Sequence, residues 1–361
     1  MFSRGFRGTE ESRRMDRIAA YGLSPESLAG LLSELGAPSF RADQILRWVY
    51  ERRTPDPAAM SNLPVALREQ LAAHLVGPEV AVDRRADSVD GTRKLALRLD
   101  DAERIESVLI PDGDKRLTLC VSSQVGCAMG CTFCATARMK LRRQLGTAEI
   151  VAQIQAARGE LETLEHGPGV LTNLVFMGMG EPLHNLDNLI PALDILTSPW
   201  GVGMSPRRIT VSTVGLLPEM HRLLRETKVN LAVSLGATSE EKRRELMPIT
   251  KRYSLRDLMQ TCRELPIPRR RRITFEYTLL EGENDSPADA RRLVRLLHGI
   301  RAKVNLIFWN PFDDAPYRRV SRERTEAFQQ MLLDQGVHAT IRESRGPDID
   351  AACGQLAARG A

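Results

Sequence analysis

Apolar residues change their spacing along the chain, and each spacing predicts a different element. Between residues 22 and 76 they follow the helical period. Ser24-Pro25 reads as an N-cap with proline at the first helical position, and Gly36 as the stop. A second helix is predicted over about Ala42–Glu51, with Ile45, Leu46 and Val49 facing inward, and a third from Pro64 to Leu75 after Asn62. Three short helices make a thin core, so this unit is expected to pack on its neighbour. From 79 to 123 the pattern turns to alternation and β-branched runs: Glu79–Asp83, Arg93–Leu99, Ile105–Ile110 and Leu117–Val121. Asp90-Gly91 and Asp112-Gly113 supply the hairpin turns of a β-meander.

Further on, strands alternate with helices. The strands are Asn173–Met177, Arg208–Ser212, Asn230–Leu235, Ile273–Leu279, Val304–Phe308 and His338–Arg342. The helices are Thr147–Leu161 (Thr147 as N-cap), Leu186–Leu196, Pro218–Glu226, Ser254–Leu265, Pro287–Ile300 and Arg322–Asp334. Repeated β–helix–β units imply parallel strands with right-handed crossovers. Six are too few for the closed eight-stranded barrel. The expected fold is α/β, a partial (β/α)6 barrel with a small N-terminal helical accessory domain and a β-meander extension. The expected divisions are a disordered tail at 1–20, the helical unit at 21–78, the meander at 79–118, the barrel at 119–345 and a C-terminal tail at 346–361. Ligands gather at the C-terminal ends of such strands.

Composition narrows the class. With 361 residues, 42% hydrophobic and 27% charged, the chain reads as a globular protein of one large domain plus a smaller one. No apolar run is long enough to span a bilayer. The segment Met1–Arg17 lacks the apolar core of a secretory signal, and Glu10, Glu11 and Asp16 argue against a transit peptide. The net charge of +5 is mild, but only seven of the 51 basic residues are lysine, so the positive charge is nearly all guanidinium, which grips phosphate in a bidentate fork. Runs fall at Arg142–Arg143, Arg269–Arg272 and Arg318–Arg319. A solvated surface explains these as well as a polyanionic partner does.

Candidate chemistry centres on Cys127, Cys131 and Cys134, spaced C-x3-C-x2-C. Structural zinc wants four protein ligands, and the closest downstream histidine is His166. A Cys131–Cys134 disulfide would leave Cys127 unexplained. A 4Fe–4S cluster uses all three thiolates and leaves one iron open, with Phe133 as a shield from water. Met177-Gly178-Met179-Gly180-Glu181-Pro182 ends an apolar strand; its glycines would let the backbone approach a ligand, and Glu181 would pair with an ammonium. Cys262 falls on the apolar face of a helix and reads as an inert buried thiol. Cys353, beside Gly354 in a loop after the last strand, is expected to move and to face one active site with Cys120.

These pieces together resemble the RlmN/Cfr family of radical S-adenosylmethionine (SAM) RNA methyltransferases. The likeness covers about residues 22–357: Phe40-Arg-Ala-Asp-Gln-Ile45, Asn62-Leu-Pro64, Glu106-Ser-Val-Leu-Ile-Pro111, Cys120-Val-Ser-Ser-Gln-Val-Gly-Cys127, the Gly-Met-Gly-Glu-Pro strand end and Ala-Ala-Cys353-Gly-Gln-Leu. The resemblance implies that Cys127, Cys131 and Cys134 hold the cluster, and that Gly180, Glu181, Ser212, Ser234, Leu235, Gly236 and Asn310 bind SAM. The family often has His or Asn where this chain has Gly236.

The resemblance also implies a chemistry. Carbon 2 of adenine is not nucleophilic, so polar methyl transfer fails there. A first SAM methylates Cys353; a second, on the open iron, is cleaved to a 5′-deoxyadenosyl radical that takes hydrogen from that methyl. The carbon radical adds to adenine, Glu106 accepts the ring proton, and Cys120 attacks Cys353 to release product and leave a disulfide. The substrates implied are 23S rRNA and, for the carbon-2 type, tRNA, with the adenine unstacked to reach the site. The helical unit and the Arg runs become candidate RNA contacts. An external electron donor, a monomer, a cytoplasmic location and no membrane are expected. Alternatives are a Cfr-type carbon-8 enzyme, a radical SAM enzyme acting on a non-RNA substrate, and an iron–sulfur electron carrier.

Overall fold

The computed structural model describes residues 17–77, 80–164, 167 and 169–357. Of the disordered tail expected over residues 1–20, residues 1–16, with Glu10, Glu11 and Asp16, lie outside the described residues, as do Glu79 and His166; its end is ordered instead, Ile18–Ala19 pairing with Leu75–Val76 and Ala20 being buried. Ten strands form one continuous sheet whose spatial order is the order of the chain. They are β1 (Val80–Asp87), β2 (Arg93–Leu99), β3 (Arg104–Asp112), β4 (Arg116–Cys120) and β5 (Asn173–Phe176), then β6 (Ile209–Thr213), β7 (Asn230–Ser234), β8 (Ile273–Leu279), β9 (Ala302–Phe308) and β10 (Ala339–Arg342). The first four pair antiparallel and all pairs from β4 to β10 are parallel. The six strands expected beyond the cysteine loop are all present. The strand at 117–121, expected to close the meander, also opens the parallel set, so meander and barrel share one sheet.

Parallel strands covered on both faces read as unbroken apolar runs. These do not. On β6, Ile209, Val211 and Thr213 are buried while Thr210 and Ser212 are half-buried. Register carries the alternation across the sheet: Ser212 pairs with Ala232 and Ala232 with Thr274, while Ser234 pairs with Glu276, Glu276 with Asn305 and Asn305 with Thr340. The apolar positions join one buried core. The polar positions line the concave face, where a ligand rather than packed layers can sit.

The N-terminal helices follow the expected plan with corrected caps. Helix Pro25–Glu34 starts at Ser24, whose side chain accepts from the Ser27 amide at 3.2 Å. The second helix, Arg41–Leu46, continues as a wider turn through Glu51. Asn62 does not cap the third helix, Val65–His74; its side chain instead accepts from the Trp48 indole at 2.6 Å, tying two helices. Thr147 is likewise not the cap of Thr147–Gly159: that place is Gly146, whose amide donates to Glu149 at 2.8 Å. The helical unit packs on this same helix, as a thin core requires, with Arg158 donating to the Tyr50 carbonyl at 3.1 Å. Among the described residues no helix is long and apolar enough to cross a membrane.

Tyr50 is fully buried and its hydroxyl donates to the Leu23 carbonyl at 2.6 Å. Tyr50→Phe keeps the ring and orphans that carbonyl, so urea unfolding is expected to show a loss of about 1–3 kcal/mol.

Candidate active site

The C-terminal ends of β4, β5, β8, β9 and β10 open onto one crevice. Cys120, the last residue of β4, lines it together with Gly178, Glu276, Asn310, Arg342 and, from the chain's tail, Cys353. Cys134 of the triplet reaches the same crevice. The two outlying cysteines are therefore brought together, within electrostatic reach of one another. Burial pushes the Cys120 thiol well up, and the neighbouring Cys353 adds to that. Cys353 is exposed to solvent through the crevice mouth, yet enough protein surrounds it that desolvation raises its thiol too, with the Arg342 guanidinium pulling the other way.

The tail is tied down rather than loose. Asn310 donates to the Cys353 carbonyl at 3.2 Å, and the Ala135 amide donates to the Gly354 carbonyl at 2.7 Å. Thr136 donates to the Leu356 carbonyl at 2.5 Å, and Asp348 accepts from Ser88 at 2.6 Å. These partners come from the cysteine loop, the end of β9 and the meander, so a segment that reads as a free loop is held by distant elements. Asn310, expected at SAM, spends its amide on the tail, and its oxygen accepts from Ser344 at 2.5 Å.

Glu106 lies on β3 and is buried. One carboxylate oxygen accepts from the Ala357 amide at 3.0 Å and the other sits 3.3 Å from the Lys94 ammonium. Lys94 also donates to the Asp350 carbonyl at 3.3 Å. The Glu106–Lys94 pair thus grips both ends of the loop that carries Cys353. Register sets Val108 beside Cys120, which puts Glu106 two residues along on the same face.

The cysteine loop and the glycine-rich strand end are built against each other. The Met179 amide donates to Ser122 at 2.8 Å, and the Glu181 amide donates to the Gln124 side chain at 2.7 Å. Gly180 has φ of +99°, and a Cβ there would stand 2.5 Å from Gln124 Cβ. Its lack of a side chain is used against the protein itself, a correction to the expectation of ligand approach alone. Glu181 is buried beside Cys127 and Cys131. Its oxygens accept from the amides of Leu183 (3.1 Å) and Val214 (2.9 Å), so it joins two strand ends as well as being available to an ammonium.

Cys127 and Cys131 are buried and Cys134 is half-buried, each near the other two. Burial pushes Cys127 up to about 12 and raises Cys131 as well. Among the described residues no three His, Cys, Asp or Glu side chains form a compact single-ion site. A cubane binds each thiolate on a different iron and so suits a wider set. Three adjacent thiols against the apolar wall of Leu246, Met247 and Trp309 fit such a cluster, whose iron would displace their protons. Phe133 packs on that wall.

Ser212 and Ser234 face the concave side and Leu235 is buried at the end of β7. Gly236 has φ of +74°, and the place of its Cβ lies 2.3 Å from the Met247 sulfur, so a larger residue would need Met247 to move. Arg243 was not foreseen. It is buried, desolvation lowers its pKa to about 10 so that it stays charged at neutral pH, and it donates to the carbonyls of Val214 (2.7 Å) and Leu235 (2.9 Å) at two strand ends. Its signal lay in spacing: it stands three positions before Leu246 on the inner side of a charged helix. Cys262 is buried in its helix, within electrostatic reach of Arg243.

The Arg runs divide. Arg142 pairs with Glu103 at 2.8 Å, and Arg143 with Asp101 at 2.6 Å and Glu149 at 2.8 Å. Arg269–Arg272 precede β8, at the end of the sheet opposite the crevice. Arg319 lies 4.5 Å from the Phe308 ring centre, on the crevice side.

Comparison with known proteins bears on these groups. Residues 121–294 match the model of the Radical SAM superfamily, and residues 19–76 that of the ribosomal RNA large subunit methyltransferase N-terminal domain. The dual-specificity RNA methyltransferase RlmN of Syntrophotalea carbinolica is 50% identical over 340 residues, covering 94% of this chain and 90% of that protein. That of Anaeromyxobacter dehalogenans is 49% identical over 342 residues, covering 94% and 91%. The crystal structure of a radical SAM methyltransferase from Sphaerobacter thermophilus superposes with a TM-score of 0.89 at 45% identity, covering 95% of this chain and all of that one.

Burial lifts the Glu181 carboxyl from its usual 4.5 to about 7. A group raised on folding costs nothing below its unfolded value, costs progressively more as the unfolded chain gives up its proton first, and costs fully above its folded value. In the cluster-free protein, stability relative to Glu181→Gln is expected to fall between pH 4.5 and about 7, by at most about 1.4 kcal/mol per pH unit, and to level off above. Urea unfolding across that range checks it; a constant difference would contradict it.

Proposed function

Since the chain belongs to the RlmN family of radical SAM RNA methyltransferases, we propose that it methylates carbon 2 of adenosine, in 23S rRNA and in the tRNA anticodon loop, through a methyl group carried on Cys353. The observation that carries this reading is the crevice in which Cys353 and Cys120 stand together beside Cys134. A radical enzyme without a protein-bound methyl carrier has no use for a second and third thiol there. Two kinds of RNA substrate accord with the relatives, which are dual-specificity RNA methyltransferases.

Cys127, Cys131 and Cys134 would hold a 4Fe–4S cluster, which together with SAM would supply the one-electron chemistry that a non-nucleophilic carbon demands. The protein's own groups do the rest. In this reading SAM is bound by Gly180, Glu181, Ser212, Ser234, Leu235, Gly236 and Asn310, which lie at or just beyond strand C-termini. The Cys353 sulfur takes a methyl from one SAM, so each turnover uses two. Glu106 accepts the proton from the adenine ring, for which it must first let go of the Ala357 amide. The adduct gives up its odd electron to an external one-electron acceptor; the Cys120 thiolate then attacks the Cys353 sulfur, the sulfur–carbon bond breaks with its electron pair on the methylene carbon, that carbon takes up a proton to become the methyl group, and a Cys120–Cys353 disulfide remains for an external reductant to reopen. An external donor also supplies the electron for SAM cleavage. RNA substrates would place the protein in the cytoplasm.

Nucleoside mass spectrometry of rRNA and tRNA treated with the reconstituted enzyme tests the reading. 2-Methyladenosine is expected from both. Cys353→Ala is expected to cleave SAM yet methylate neither, and Cys120→Ala to remain covalently joined to RNA. An 8-methyl product would overturn the carbon assignment, and methylation by Cys353→Ala would overturn the carrier.

A further inference from the structure

The meander strands β1–β3 form an amphipathic sheet. Leu95, Leu97 and Leu99 on one face of β2 are buried in the core. The other face bears Lys94, Ala96 and Arg98, half-buried to exposed. Register sets Arg84 beside Ala96, Ala96 beside Glu106, Arg98 beside Arg104, Lys94 beside Val108, and Val108 beside Cys120. Because side chains alternate along a strand, Arg84, Lys94, Arg98 and Arg104 all stand on the face that carries Glu106 and Cys120. The tail residues Ile349 and Asp350 border it, and Ala357 reaches Glu106 at its edge.

The charge on this face is not cancelled. Lys94 is matched by Glu106 at 3.3 Å and Arg104 by Asp83 at 2.9 Å. Arg84 and Arg98, both exposed, have no hydrogen-bond or ion-pair partner among the described residues. Of the Arg runs, Arg142–Arg143 are spent on carboxylates, Arg269–Arg272 lie at the far end of the sheet, and Arg319 of Arg318–Arg319 lies over the Phe308 ring.

We propose that the open face of β1–β3 is the docking ramp for the RNA strand that carries the target adenosine. Its phosphates lie on Arg84 and Arg98, whose guanidinium forks suit them. The strand then leads the unstacked base past Glu106 into the crevice of Cys120 and Cys353. Three strand spacings, about 15 Å, separate the Arg84 strand from the Cys120 strand, a reach of a few nucleotides. Contacts to phosphate carry no sequence information, which suits an enzyme that must accept two RNAs. The inference rests on the RNA methyltransferase reading.

The test is equilibrium binding of a tRNA and of an rRNA hairpin to the cluster-loaded protein across a salt series. Arg84→Gln/Arg98→Gln is expected to weaken both about tenfold at about 0.1 M salt, and to flatten the slope of log affinity against log salt by about 1.4, the worth of two single-strand phosphate contacts. Arg269→Gln/Arg270→Gln serves as the control and is expected to bind as the parent does. Thermal melting checks folding, which exposed Arg→Gln changes leave intact; Arg84→Glu, made alone, should weaken binding further than Arg84→Gln. Parental affinity and slope in the ramp variant, or the loss appearing in the control instead, would overturn the proposal. An unsubstituted protein that binds no RNA at any salt would overturn the RNA reading itself.

Discussion

A register broken only by a bulge between Val82 and Arg84 in β1 runs through the ten strands, and it decides which side chains can meet. Alternation sends one set of positions to the helices and the other to the concave face. Along β6 to β10 that face is polar: Thr210, Ser212, Ser234, Glu276, Asn305 and Thr340 occupy positions that a closed barrel would fill with branched apolar residues. β4 carries the same face across the change from parallel to antiparallel pairing, so Cys120 belongs at once to the barrel interior and to the open meander. A slip of one residue in β4 would turn Cys120 into the apolar layer and part it from Cys353.

Against this fixed face, the tail is the part that must change place. Its anchors are single hydrogen bonds from several elements, each of net worth about 1 kcal/mol. They can be broken together by a ligand that offers comparable contacts. Glu106 is the most consequential, because it holds the tail through the Ala357 amide and is also the proposed proton acceptor. One carboxylate cannot serve both at full strength. In the proposed reaction, Glu106 thus links the hold on the Cys353 tail to the place of the base, with the Lys94 ammonium 3.3 Å from its carboxylate.

Much of this was legible in the sequence, for identifiable reasons. Strand and helix positions came from periodicity, which burial enforces along each element. The cysteine spacing and the tail motif survive in a linear reading because each lies within a short segment. What the sequence hid depends on partners far along the chain. Gly180 faces Gln124, Asn310 holds the tail, and Glu181 bridges to Val214; none of these pairings has a local signature. Arg243 sits in a charged helix that looks solvated until Leu246 shows which side is inward. Caps failed similarly: Asn62 and Thr147 are good capping types, but tertiary partners at Trp48 and the Asn188 carbonyl claim their side chains. The Arg runs drew notice by density alone, whereas Arg84 and Arg98 matter through the face they share.

The central claim is that Cys353 carries the methyl group on its way to RNA. Peptide mass spectrometry of the cluster-loaded protein, first with SAM and then with RNA added, tests it directly. A methyl group on Cys353 and on none of the other five cysteines, disappearing as methylated adenosine forms, is the predicted result. Methylated RNA from a protein whose Cys353 never bears a methyl group would contradict the account.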